Sequence, residues 1–332
     1  MCAMALTDDV RENLVLPAFC APMFLCSNPA LAIACCGAGI VGSITANHLR
    51  DLGELEAQLR EIDEALKHLA EQSPQRKIGP LAVNISPNKD AGEFRRNLDL
   101  CKRYGTRIIV TSVGDPTRNA PLVRDSGMLH FHDVTNIRFA QKAANAGVDG
   151  MIAIGAGGGG HAGTITHLAL IPKIREFFDG TIVMAGAVSN GAAIRAAEIL
   201  GADLAYVGTR FIATRESAAP AKYKQMLVEA GVEDVIYTSG VNGMAASWLK
   251  ASLREVGLDP DNLTAPDTHS SDHLPEGQMP WKDIWSGGQG TGLIEDVPAA
   301  ADLVHRLCQE YAAACALPDM AGAARQSAGA SA

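Results

Sequence analysis

The sequence has no block of lysine and arginine. Its 28 basic residues are scattered among 37 acidic ones over 332 positions, leaving a net charge of −9. Nucleic acid is thereby excluded as a partner, because phosphate backbones demand clustered cations. There is no CxxC pair among the eight cysteines, Cys2, Cys20, Cys26, Cys35, Cys36, Cys101, Cys308 and Cys315. The one close pair is adjacent, which is poor disulfide geometry. Most of these thiols lie in apolar runs and read as small buried hydrophobes of a reducing compartment, and no zinc site is expected. No basic n-region opens the chain: MCAMALTDDVREN is acidic and does not read as a signal peptide. The longest apolar run, Ala30 to Gly42, is well short of the roughly 20 residues a membrane span needs. A cytoplasmic protein with no membrane partner is the expectation.

What is present is glycine, 33 of them, in a chain that is 47% hydrophobic. That surplus points to many tight turns or close backbone approaches to a ligand. From Leu14 to about Thr214, short apolar runs alternate with amphipathic stretches. The runs are Val15–Met23, Gly39–Ile44, Leu81–Ile85, Arg107–Val113, Gly127–His132, Val148–Gly155, Thr181–Gly186 and Asp203–Gly208. Each is bounded by Gly, Pro or Asp and reads as a buried parallel strand. Between them, Leu52, Leu55, Leu59, Ile62, Leu66 and Leu69 draw one apolar stripe along a charged helix. Ser27-Asn28-Pro29 starts another, with proline at the first helical position. A weak repeat, AxxGVDGMIAIG at 144–155 and ExxGADLAYVGT at 198–209, fits two βα modules.

Eight such units predict an α/β fold, a (β/α)8 TIM barrel, over residues 1–214. The rhythm then breaks. Residues 215–298 are expected to form a mostly helical lobe over the barrel mouth, with helical stretches at Tyr223–Ala230 and Ala245–Val256. Residues 299–321 read as a helix returning to the barrel, and 322–332 as a disordered tail.

In such a barrel ligands lie at the C-terminal ends of the strands, and phosphate commonly binds after the seventh and eighth. There the chain offers Gly186, Ala187, Gly208 and Thr209, followed by helix starts whose N–H groups suit an anion. Tight strand–helix packing would explain the same glycines. The sixth strand ends in four glycines, including Gly159 and Gly160, and then His161. A loop so costly to order makes sense where backbone must lie flat against a ring or phosphate, and a histidine there can exchange protons near neutral pH. No Gly-Lys-Ser/Thr follows, so it is not a P-loop. His130 and His132 share one face of the fifth strand. His132 is a candidate cofactor contact, and a pair hydrogen-bonded within the fold is the alternative. A metal site from His130, His132 and His161 lacks clustered carboxylates to complete it.

These motifs resemble one family. Ala21-Pro22-Met23, GGHAG around His161, AGAVSNG at 185–191, GADLAYVGTRFIAT at 201–214 and IWSGGQGTGLI at 284–294 stand in its order along almost the whole chain. It is that of the nitronate monooxygenases, formerly 2-nitropropane dioxygenases, whose relatives include flavin-dependent enoyl-acyl-carrier-protein reductases and NAD(P)H:quinone reductases. The resemblance implies a TIM barrel holding FMN non-covalently, lined by Met23, Asn84, Gly186, Ala187, Gly208 and Thr209, with Gly288, Gln289 and Gly290 closing over it. It implies that His161 is the active-site histidine. The implied reaction is oxidation of alkyl nitronates by O2 to a carbonyl compound and nitrite. The alternatives are an NAD(P)H-dependent flavin reductase and a non-catalytic barrel. A homodimer is the candidate assembly. Four departures accompany the match: Cys20 where glutamine is frequent, Ala187 for the second glycine of a pair, Asp133 where some relatives carry a lysine beside the flavin, and the length of the glycine run before His161.

Overall fold

The computed structural model describes residues 6–317. Eight strands follow one another in parallel: β1 (Ala18–Cys20), β2 (Gly42–Thr45), β3 (Leu81–Asn84), β4 (Ile108–Thr111), β5 (Leu129–Val134), β6 (Gly150–Ile154), β7 (Thr181–Ala185) and β8 (Leu204–Val207). Neighbours in sequence are neighbours in space from β2 to β8, and β1 pairs with β8 through Ala18↔Ala205 to Cys20↔Val207. A parallel bridge between Phe19 and Val41 closes the ring. The protein is a TIM barrel. β1 is shorter than its apolar run because Pro17 and Pro22 flank it, and proline has no N–H to give a sheet.

Strand periodicity decides what fills the barrel. Phe19, Val41, Ala82, Ile108, Val110, Phe131, Ile152, Val183, Ala185 and Leu204 share one buried cluster, the inward-facing positions of the eight strands. The alternate residues pack against the surrounding helices, as Cys20, Val134, Met151, Ala153, Ile182 and Ala205 do. Helices start at side-chain caps: Asn28, Asp51, Asn136 and Asn190 accept N–H bonds from Leu31, Glu54, Phe139 and Ala193. The 52–72 helix buries Leu55, Leu59 and Ile62, the N-terminal part of its stripe.

The sequence repeat has a mechanical meaning. Helix Ile137–Ala146 ends at Gly147 and helix Gly191–Leu200 at Gly201, both left-handed, where a side chain would be strained. The aspartate two residues on does the same work twice. Asp149 accepts the N–H of His130, and Asp203 that of Ile182, both at 2.8 Å. Each pins the start of its own strand to the preceding one.

Residues 215–298 differ from the expected mostly helical lobe: beside two short α-helices they carry a two-stranded sheet. Helix Ala221–Glu229 is present, but Ala245–Val256 splits into strand β10 (Ala246–Leu249) and helix Lys250–Glu255. β10 pairs antiparallel with β9 (Val235–Thr238). Ala, Ser and Leu alone favour a helix; the β-prone Val235-Ile236-Tyr237-Thr238 offers an edge, and pairing overrides local propensity. Helix Ala300–Cys315 returns to pack on helices Gly191–Leu200 and Pro29–Gly37. Gly191 permits it, since a Cβ there would lie 2.2 Å from the Tyr311 nitrogen. The expected tail at 322–332 lies outside the described residues.

Candidate functional site

The C-terminal ends of the strands open into a cavity of about 800 Å³. Its floor is the last inward-facing residue of each strand or the position just beyond: Ala21, Thr45, Asn84, Ser112, Asp133, Ile154, Ala185 and Tyr206. The wall on the β7 and β8 side is Gly186–Ser189 and Gly208–Thr209. The N–H groups of Gly186, Ala187, Gly208 and Thr209 meet no backbone carbonyl among the described residues. Gly186 and Ala187 have φ of +123° and +56°. A left-handed alanine costs about 1 kcal/mol or more, which accounts for the glycine expected there.

The glycine run has two separable reasons. Gly160 has φ +65° with open space where a Cβ would stand, so only its backbone requires glycine. Gly159 has ordinary backbone, but a Cβ would meet the Gly288 nitrogen at 3.0 Å and Thr209 Oγ1 at 3.2 Å. The loop is stitched to residues of the 215–298 segment. Gly160 N donates to Ser286 Oγ at 2.6 Å, Ser247 N to Gly160 O at 2.9 Å, Gln289 N to Gly157 O at 2.9 Å and Tyr237 OH to Ala162 O at 2.8 Å. Gly288 N donates to Thr209 Oγ1 at 3.0 Å, tying the same segment to the end of β8.

His161 projects into this cavity, half-buried, with Nε2 enclosed and unpartnered among the described residues. Burial, and secondarily the charge of His269, lowers its pKa and keeps the imidazole neutral. Trp281 lies against it, ring centroids 5.1 Å apart, and Trp248 lies against Trp281 at 4.9 Å. Trp281 has φ +62°, an outlier for a bulky residue and a form of strain that clusters at ligand sites. Sequence reasoning missed Trp281, because it falls in an aperiodic Pro/Asp/His-rich stretch. It also missed Tyr206, which the two-residue period of β8 could have placed on the floor.

Of the residues singled out from sequence, Ala21, Pro22, Met23, Asn84, His132, Gly159, Gly160, His161, Gly186, Ala187, Gly208, Thr209 and Gly290 all border the one cavity. Gln289 does not. Its side chain packs toward Gly157, where a Cβ would meet Oε1 at 2.8 Å. Asn84 spends its amide within the protein, accepting from Thr45 and Asn47 and donating to Val110 O and Ser112. Its place is in shaping the floor.

His130 and His132 face away from the barrel interior, on the side of Val134. One hydroxyl, Thr111 Oγ1, bonds both rings, at 2.8 Å to His130 Nε2 and 2.7 Å to His132 Nδ1. His132 reaches the cavity edge; His130 does not. Among the described residues no group of three or more His, Cys, Asp or Glu is placed to hold a metal ion. Burial lowers the pKa of His130 to about 3 and of His132 to about 4. Both are therefore neutral when folded, and the unfolded chain takes up protons first. Their contribution to stability is complete above about pH 6.5 and is lost below it, each by about 1.4 kcal/mol per pH unit. Thr111→Val strands both ring nitrogens and is expected to cost about 2 kcal/mol at pH 7.5. Denaturant titration checks it, and a loss under about 0.5 kcal/mol would remove the hydroxyl from this account.

Among the described residues no helix is long and apolar enough to cross a membrane. The solved nitroalkane oxidase of Streptomyces ansochromogenes superposes with a TM-score of 0.71 at 25% identity, covering 92% of this chain and 98% of that one. The nitronate monooxygenase of Paraburkholderia phytofirmans is 24% identical across 92% of this chain and 96% of its own. A dehydrogenase of Mycobacterium tuberculosis, named for (3aS,4S,5R,7aS)-5-hydroxy-7a-methyl-1-oxo-octahydro-1H-indene-4-carboxyl-CoA, is 29% identical over 179 residues. That match takes in 53% of this chain and 50% of the relative, so the chain spans about half the length of that protein. The family model described as nitronate monooxygenase matches residues 12–310, from before β1 into the last helix. The chain belongs to the nitronate monooxygenase family.

Proposed function

We propose that this protein is an oxidoreductase that binds FMN in the barrel mouth and oxidises alkyl nitronates with O2, releasing a carbonyl compound and nitrite. The observation that carries the reading is His161, a neutral imidazole with an unpartnered, enclosed Nε2 facing the cavity. The cavity suits the cofactor on its own terms. The backbone amides of Gly186, Ala187, Gly208 and Thr209 form a cradle fit for a phosphate. The floor beneath is broad and mixed, with Ile154 and Ala185 beside Asn84 and Ser112. When bound, FMN supplies the electron acceptor of the reaction.

The chain's own residues do the rest. Neutral His161 accepts the α-proton of a neutral nitroalkane at Nε2, or donates a hydrogen bond to a nitronate oxygen in the other tautomer. Trp281 restricts its ring from one side, and Trp248 supports Trp281. Met23 and Phe24 add apolar wall, which favours a substrate with few charges.

Anaerobic mixing of the flavin-loaded protein with ethyl nitronate, NADH and NADPH in parallel tests the reading. Rapid bleaching of the flavin absorbance by the nitronate, followed by nitrite release on admitting O2, is expected. Fast bleaching by a nicotinamide with none by nitronate would overturn it in favour of a reductase.

A further inference from the structure

One buried group in the cavity has no role in that chemistry. Asp133 is the inward residue at the end of β5, on the same side of the strand as Phe131. Its residual surface faces the cavity, while Oδ1 is wholly enclosed and has no hydrogen-bond partner among the described residues. Its neighbours in the floor are Ser112 and Ile154, and Tyr206 of β8 faces it from across the barrel. Among the described residues no cation is paired with it. Lys142, which also borders the cavity, is engaged by Asp115 at 2.8 Å. A carboxylate left unpaired in such a place is costly, and the group escapes by keeping its proton. A neutral acid is then an unsatisfied donor pointing at whatever fills the cavity.

We propose that Asp133 is held as a neutral carboxylic acid and donates a hydrogen bond to an acceptor atom of the bound flavin ring, so that flavin binding is coupled to a proton. The inference rests on the reading of the cavity as a flavin site. The phosphate cradle follows β7 and β8, and Asp133 lies across the floor from them, where a ligand anchored at the cradle and filling the cavity must cover it. Burial raises the carboxyl pKa to about 7, with desolvation the sole cause, so the group titrates across neutrality. The other titratable groups around it are quiet above that point. Burial keeps His130, His132 and His161 neutral and pushes the Tyr206 hydroxyl well up.

The test is equilibrium binding of FMN, and of riboflavin as a phosphate-free control, to the apoprotein between pH 7 and 9. Flavin fluorescence reads the affinity. Above the carboxyl pKa the apoprotein must take up a proton to bind, so affinity is expected to fall by up to about tenfold per pH unit. Asp133→Asn keeps a donor but cannot ionise, and its dissociation constant is expected to stay level within about twofold across the same range. Asp133→Ser serves if the asparagine variant does not melt cooperatively. Infrared difference spectra of FMN binding at pH 7 should show the band of a protonated aspartic acid shifting in the natural protein and missing from the variant. Affinity independent of pH in the natural protein, or the same slope in the variant, would overturn the proposal and leave the flavin site standing. No flavin binding at pH 7 would bring both down together.

Discussion

Replacing His161 with alanine is expected to lower kcat/KM for alkyl nitronates by about 10²- to 10⁴-fold, the usual worth of a positioned acid–base group. FMN should remain bound, because the cradle amides belong to Gly186, Ala187, Gly208 and Thr209 and do not pass through the imidazole. The loop should also keep its course, since its ties to the 215–298 segment run through the backbone of Gly157, Gly160 and Ala162. His161→Gln, which still offers an N–H and a carbonyl, separates two roles. If the group mainly holds a nitronate oxygen, glutamine should restore much of the rate on pre-formed nitronate. If it removes a carbon-bound proton, glutamine should fail on neutral nitroalkane. Steady-state rates on both substrates, with flavin content measured, decide between them. Unchanged turnover in the alanine variant would strip His161 of its role whichever substrate applies.

Trp248→Ala is expected to cost about 3 kcal/mol of stability or more. Trp248 is among the largest fully buried side chains, seated on β10 in a cluster with Val241, Leu253, Leu274 and Ile284. Trp281 rests on it and in turn on His161, so the cavity left behind opens beneath the wall of the site. The indole N–H has no partner among the described residues, and a buried orphan donor carries its own penalty of about 1–3 kcal/mol. Trp248→Phe removes that donor and keeps a ring. It is expected to lie within about 1 kcal/mol of the natural protein, because lost contact and relieved desolvation oppose each other. Denaturant titrations of the pair measure both values. Equal losses for Ala and Phe would mean that the indole N–H is not the orphan it is here.

The eight strands were legible because a barrel strand buried on both faces writes itself as a short apolar run between Gly, Pro and Asp. Eight of them alternating with helices pointed to a closed barrel. The glycine loop and His161 were legible because four glycines in a row have no use in a helix or strand. β10 was not, since Ala246-Ser247-Trp248-Leu249 becomes a strand only when β9 lies beside it. Trp281 was not, since a left-handed tryptophan in an irregular stretch leaves no periodic trace. The two histidines of β5 show how far periodicity reaches. It placed them on one face, but the sharing of the Thr111 hydroxyl depends on the register of β4 against β5, Thr111↔His132.

By itself, then, the sequence determined a (β/α)8 barrel, the end of that barrel where the cavity opens, and the histidine at its edge. Those features are periodic or local, and periodicity and backbone freedom are written residue by residue. The tertiary structure decided which groups face the cavity without partners. It turned Asp133 inward and His130 outward, packed Gln289 away from the cavity wall, and brought Trp281 from more than a hundred residues downstream onto His161. Desolvation is a property of the assembled surroundings, so the neutral states of His161 and Asp133 exist only once the barrel has closed around them.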